Sequence, residues 1–343
     1  MYWPTSKNER WFCGAVVVQA VLVLILEIYN LVQWQSWVHP NISQVTVSYL
    51  VPINLTLIMF AAVYEVFLGL DMMHHKNSIL LLAICISNMC VLAYSAMQYT
   101  SMYDTTHSIV HSRDMHLQPL VDLSRDLWKE IQPAEILVPV VLGLTTVALW
   151  PVAYRVHKEF SWAIYQCVQG SPKSRYQYLG YEIYLVLIKF DFYFLVGFII
   201  QYNLVDVHFQ EPEYSLTMAL IPAALLLMTL GAYFVRREHR IVTILTAILH
   251  LGVVAYLVSR IIVLCGNTLR SKTPGKGLML FFASVALTLS VSIVMCTIYC
   301  ILNFEHGLQS VFARKSQVAR RSFVFQELPS HSNSTRESRL SLD

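Results

Sequence analysis

Charge is scarce in this chain: only 13% of its residues are Asp, Glu, Lys or Arg, while 56% are hydrophobic. A soluble domain carries about 25% charged residues. With long uncharged runs throughout, the deficit argues against a water-soluble globule and for a membrane protein. The net charge of +3 is small, and no basic patch interleaved with aromatic residues occurs, so nucleic acid is not an expected partner. No phosphate-binding loop, dinucleotide fingerprint, nucleophile elbow or kinase signature is present. That lowers the case for an enzyme without excluding an unusual membrane one, and the sequence asks for no cofactor. A small-residue cleavage site is also missing after the first apolar run, which is long enough to span and reads as a signal anchor. No internal repeat is visible.

The seven cysteines (13, 85, 90, 167, 265, 296 and 300) fall mostly inside apolar runs. They read as small buried hydrophobes rather than a disulfide framework. Eight runs approach or exceed the ~20 apolar residues that a helical span needs: 11–34, 47–70, 78–101, 135–155, 179–204, 215–235, 241–265 and 277–303. The expected fold is an all-α polytopic transmembrane bundle over residues 1–304, in contact with the lipid bilayer. The gap between the second and third runs is short, and a seven-span variant would merge or demote one of them. Residues 305–343 form a basic, Ser-rich tail expected to be disordered.

Lys and Arg in short loops set the orientation. Lys7 and Arg10 precede the first run, Lys76 follows the second, and Arg155, Lys158, Lys173 and Arg175 follow the fourth. Arg236, Arg237 and Arg240 follow the sixth, and the tail holds Arg314, Lys315, Arg320 and Arg321. The alternate connections are bare or acidic, apart from Arg270, Lys272 and Lys276 before the last run and the mixed stretch 102–134. An even number of spans with both termini in the cytosol fits this pattern. Asn41-Ile42-Ser43 is then an outer N-glycosylation sequon, and Arg320-Arg321-Ser322 could suit a basophilic kinase acting on Ser322.

Ionisable residues inside the runs carry the strongest functional hint. They are Glu27, Glu65, Glu182, Lys189, Asp191, His250 and Arg260. A charge at the bilayer centre costs about 2.5–3.5 kcal/mol on insertion scales, so such residues face protein or water and have partners. Lys189 and Asp191 are two apart and point roughly 200° apart on a helix, so each needs a partner from another helix. Glu27 and Glu65 are candidates for pairing with them. Glu27 and Arg260 fall at similar depth and form a second candidate pair. The set reads either as a polar, proton-coupled pathway or as structural ion pairs that fix helix order.

In the segment after the third run, Asp104, His107, His111 and Asp114 share one face if the chain is helical. Asp104, His107 and His111 are candidate ligands for a divalent metal there; the alternative is a solvated polar turn. Asp71, His74 and His75 read as an interfacial polar cluster. Residues 119–131 place Leu120, Leu123, Leu127, Trp128 and Ile131 on one stripe, which predicts an amphipathic helix. Residues 156–167 suggest a second interfacial helix.

Trp11 through Glu27 with Leu26-Glu27-Ile28-Tyr29, the block Tyr154-Arg-Val-His-Lys-Glu-Phe-Ser-Trp-Ala-Ile-Tyr165, Leu185 through Phe194, and the ending Arg339-Leu-Ser-Leu-Asp343 form a distinctive combination. In these stretches the chain resembles a fungal family of Golgi apparatus membrane proteins with no assigned biochemical function. The resemblance implies a Golgi membrane address and carries over no catalytic or binding residue. Three classes stay open: a transporter-like protein with a polar core around the fifth span, a receptor or trafficking adaptor acting through loops and tail, and an intramembrane metal-dependent enzyme.

Overall fold

A backbone in hydrocarbon has no water to bond, so each apolar run must satisfy its own N–H and C=O groups as a helix. The computed structural model describes residues 6–39, 47–113, 118–167, 172–207, 212–266 and 274–302. It contains α1 (Lys7–Trp37), α2 (Val47–His75), α3 (Ser78–Val110), α4 (Leu127–Cys167), α5 (Pro172–Gln201), α6 (Glu213–Arg236), α7 (Arg240–Cys265) and α8 (Lys276–Leu302). All eight contain segments long and apolar enough to cross a membrane.

The short gap does separate two helices. Lys76 takes a positive φ of 48° and ends α2. Asn77 then caps α3 by accepting from the Ile79 and Leu80 amides, the usual task of a short polar side chain at a helix start. Ser6 and Glu9 form a reciprocal capping box at the start of α1.

Cross-helix pairs show the helices running up and down. Asn8 meets Glu159 and Asn30 meets Glu135 between α1 and α4. Gly180 lies against Tyr299 and Gly197 against Phe282 between α5 and α8. The end holding the α2–α3 turn is called the turn end below, and the end holding residues 118–126 the strap end. In the first half, α1 packs on α2 and α4, and α3 on α2 and α4. In the second, α5 packs on α8 and α6, and α7 on α8 and α6, with α5 also reaching α2 and α3. Helix α5 is the axis: 67% of its apolar window is buried, against 22% for α6 and for α7. The main core follows it, with Tyr94, Tyr193, Phe194, Phe198 and Phe282 among its members.

Two expectations about interfacial helices are corrected. Residues 119–126 are not helical. They form a strap in which Leu120 O accepts from the His39 amide and the Asp122 amide donates to Trp37 O. The Trp37 indole donates to Asp122 O at 2.9 Å, and Leu120 and Val121 pack with Trp34 and Trp37 while Leu123 stays exposed. Tryptophan burial and backbone pairing outweigh the amphipathic pattern here. The Ser124 hydroxyl and amide hold the Asp122 carboxyl below its ordinary range. The stretch 156–167 continues α4 rather than forming a separate helix, which makes α4 41 residues long. It extends about 60 Å at 1.5 Å per residue.

Candidate functional site

The ionisable residues separate by depth. Lys189 Nζ donates to Asp71 Oδ2, and His75 Nδ1 lies 3.1 Å from Asp71 Oδ1. Lys189 does find its partner on another helix, but that partner is Asp71 of α2, not Glu27 or Glu65. The lysine stem is long enough to carry its ammonium toward the turn end, where Lys189 and Asp71 are 35% and 31% exposed. The Tyr64 hydroxyl donates to Lys189 O at 2.7 Å and anchors the same turn of α5.

Asp191 faces the other way and is fully buried. Both of its carboxylate oxygens accept from the Ser290 hydroxyl of α8, at 3.0 and 3.1 Å. Arg260 does not meet Glu27. It lies toward the strap end, donates to Glu213 Oε1 and to the Tyr202 hydroxyl at 3.0 Å each, and covers the rings of Tyr202 and Tyr256. Tyr202 opens a π-helical turn, Tyr202–Val207, that extends α5. Glu182 is buried in α5. His250 is buried in α7, with Nδ1 3.3 Å from Thr246 O and Nε2 without a hydrogen-bond partner.

Glu27 and Glu65 belong to a seam of amides that sequence reasoning missed. Gln19 donates to Glu65 at 3.3 Å and to Asn88 at 2.9 Å, and Asn88 returns a bond to Gln19 at 3.1 Å. Toward the strap end, Asn30 donates to Glu135 Oε1 at 3.0 Å. The Gln98 side chain engages Glu135, and Glu27 lies beside Glu135 with the Asn30 amide turned toward it. Both Glu27 oxygens are sealed from solvent and have no hydrogen-bond partner among the described residues. A third group joins Asn54, Tyr94 and Gln201 at 2.9–3.1 Å. The missed signal was helical spacing: Asn30 is one turn from Glu27, and Glu135 opens the fourth apolar run.

Glu27, Glu65, Glu135 and Asp191 are each at most 3% exposed. Among the described residues none of the four has a Lys, Arg or His as salt-bridge partner. Carboxylates so placed are stable when they carry protons or hold a cation.

The proposed metal ligands are not brought together. Among the described residues no three His, Cys, Asp or Glu side chains form a group that could hold a metal ion. His107 Nδ1 lies 2.9 Å from its own helical carbonyl, Tyr103 O, and its ring lies against Tyr103 and Trp128. His111 is the C-cap of α3, and Asp104 is exposed. Asn41 and Ser322 lie outside the described residues.

No family model matches the chain, and no solved structure matches it. The chain is 24% identical over 317 residues to a UPF0658 Golgi apparatus membrane protein of Schizosaccharomyces pombe, covering 88% of this chain and 89% of that protein. The chain is thus similar over most of its length to a Golgi apparatus membrane protein of a fungus, and the eight described helices are long and apolar enough for a multi-pass membrane protein.

Proposed function

We propose that the protein is transporter-like and moves an ion or small polar solute across its membrane through the polar interior of the bundle. One observation carries the reading: Glu27, Glu65, Glu135 and Asp191 are sealed among the helices with amides or a hydroxyl for neighbours and, among the described residues, no cationic side chain bonded to them. Structural ion pairs would place a Lys or Arg against each acid, as Lys189 is placed against Asp71. Acids held by neutral groups can instead take up and release a proton or cation, the use to which intramembrane carboxylates are commonly put. The axial position of α5 supports the reading, since it touches both halves and ends in a π-helical turn, a feature frequent at functional sites.

Reconstitution tests this function. Liposomes containing the protein and a trapped pH-sensitive dye are challenged with monovalent and divalent cations. Cation movement above that of protein-free liposomes, reduced in Glu65→Gln, is the expected result. Equality with protein-free liposomes for every cation overturns the proposal.

A further inference from the structure

We infer that Glu27, Asn30, Gln98 and Glu135 form a binding site for a hard divalent cation of the Ca2+ or Mn2+ type. The four residues come from α1, α3 and α4 and are buried, at 0%, 0%, 2% and 2% exposure. Two carboxylates supply two negative charges, which one divalent cation neutralises. Two side-chain amides supply neutral oxygens. Sets of carboxylate and carbonyl oxygens suit Mg2+, Ca2+ and Mn2+, whereas zinc and copper favour imidazole or thiolate. Mg2+ sheds its water reluctantly, and a site this sealed favours the ions that dehydrate more readily.

The acidic pair alone would not make a site. The independent observation is the set of oxygens left over. Both Glu27 oxygens, Asn30 Oδ1 and Gln98 Oε1 are buried with no hydrogen-bond partner among the described residues. A buried acceptor left unsatisfied is destabilising, more so when charged, and these four oxygens belong to side chains linked to one another through Glu135, so together they call for a ligand that accepts their lone pairs. The Asn30 amide is already committed as donor to Glu135, which leaves its oxygen free for that ligand.

Gln98 lines an indentation together with Leu50, Val51, Asn54, Ser101, Met102 and Thr105. In this conformation it is too narrow for a water molecule, so the site is closed and loading requires α2 and α3 to part. Asn54, Ser101 and Thr105 put polar groups along that route.

The inference rests on the transporter reading only for its use in the cell, because binding can be measured without transport. The full-length protein in detergent is titrated with radioactive Ca2+ and Mn2+ at constant ionic strength, alongside Glu27→Gln, Glu135→Gln and Gln98→Leu. Saturable binding near one ion per chain is expected. It should weaken by at least about tenfold in each Glu→Gln variant, as loss of even an outer-shell partner does at metal sites. Affinity should fall as the pH is lowered, because the ligands bind deprotonated. Glu→Gln preserves shape, and an unchanged elution profile and melting curve without metal will show that the variants fold. No saturable divalent binding by the wild type overturns the site, as does binding that both Glu→Gln variants retain. Binding without flux in liposomes would overturn transport and leave the site. Flux that both variants retain, without binding here, would overturn the site and leave transport.

Discussion

The cations and most of the buried acids of the bundle divide between its two halves and are handled in opposite ways, Asp191 of α5 staying deep as the acids of the first half do. In α5–α8 the cations Lys189 and Arg260 reach toward opposite ends and meet carboxylates there, Asp71 at the turn end and Glu213 at the strap end. In α1–α4 the acids Glu27, Glu65 and Glu135 stay deep among Gln19, Asn30, Asn88 and Gln98. Reach explains part of the contrast. Lys and Arg carry their charge at the tip of a long stem and can place it in water, while Asp and Glu are short and remain where the backbone puts them. The halves also cohere differently. The second is tied by shape, through Gly180 and Gly197 of α5 against the rings of Tyr299 and Phe282 of α8. The first is laced by amides.

The comparison breaks first on topology, where the effect is all or none. If all eight helices cross, both termini lie on one side of the membrane, and Asp71 and Glu213 on opposite sides. Basic flanking residues predict that this side is the cytosol. Tags at both ends should be cleaved together by protease added outside sealed microsomes. Protection of a single tag would mean an odd number of crossings.

Shape dependence in the second half gives the next largest effect. A Cβ on Gly197 would come within 2.4 Å of the Phe282 ring, itself buried among Tyr94, Tyr193 and Phe194. Gly197→Ala should therefore destabilise by about 1–3 kcal/mol through overpacking. Gly252→Ala, with open space around the new Cβ, should cost nothing. Melting temperatures in detergent compare the two, and equal values would show that α5 and α8 can part freely.

Lys189→Met should have a smaller effect. It strips Asp71 of its ammonium partner, but both groups are about one-third exposed and water screens them. The expected loss is about 1 kcal/mol, near the upper range for accessible pairs. Asp71→Asn added to Lys189→Met should recover most of it. A loss of several kcal/mol without recovery would mean that the pair is buried more deeply than its exposure indicates.

Glu27→Gln gives the smallest expected change, and of opposite sign. It replaces an unpartnered acid with a neutral amide of the same shape, so stability without metal should stay level or rise by less than about 1 kcal/mol. A clear fall in melting temperature would indicate that the carboxyl group is bonded in a way that the amide cannot reproduce, and the contrast between the halves would narrow.

The helical architecture was legible in the sequence. Runs such as 179–204 and 277–303 leave no alternative to helix in hydrocarbon, and their length counts the crossings. The need of Lys189 for a partner on another helix was legible too, from the cost of charge in lipid. The strap at 119–126 was not, because its course depends on Trp34 and Trp37 from a helix far away in sequence. Nor was the identity of any partner. Asp71 rather than Glu65 meets Lys189, and Glu213 rather than Glu27 meets Arg260. Helical periodicity fixes only which residues share a face of one helix. Partners across helices depend on each helix's rotation, depth and tilt, and these are set by the packing of all eight together. Local sequence thus determined the elements and the demand for charge compensation, and tertiary structure decided where the charges were met and where a cluster of unpaired oxygens was left.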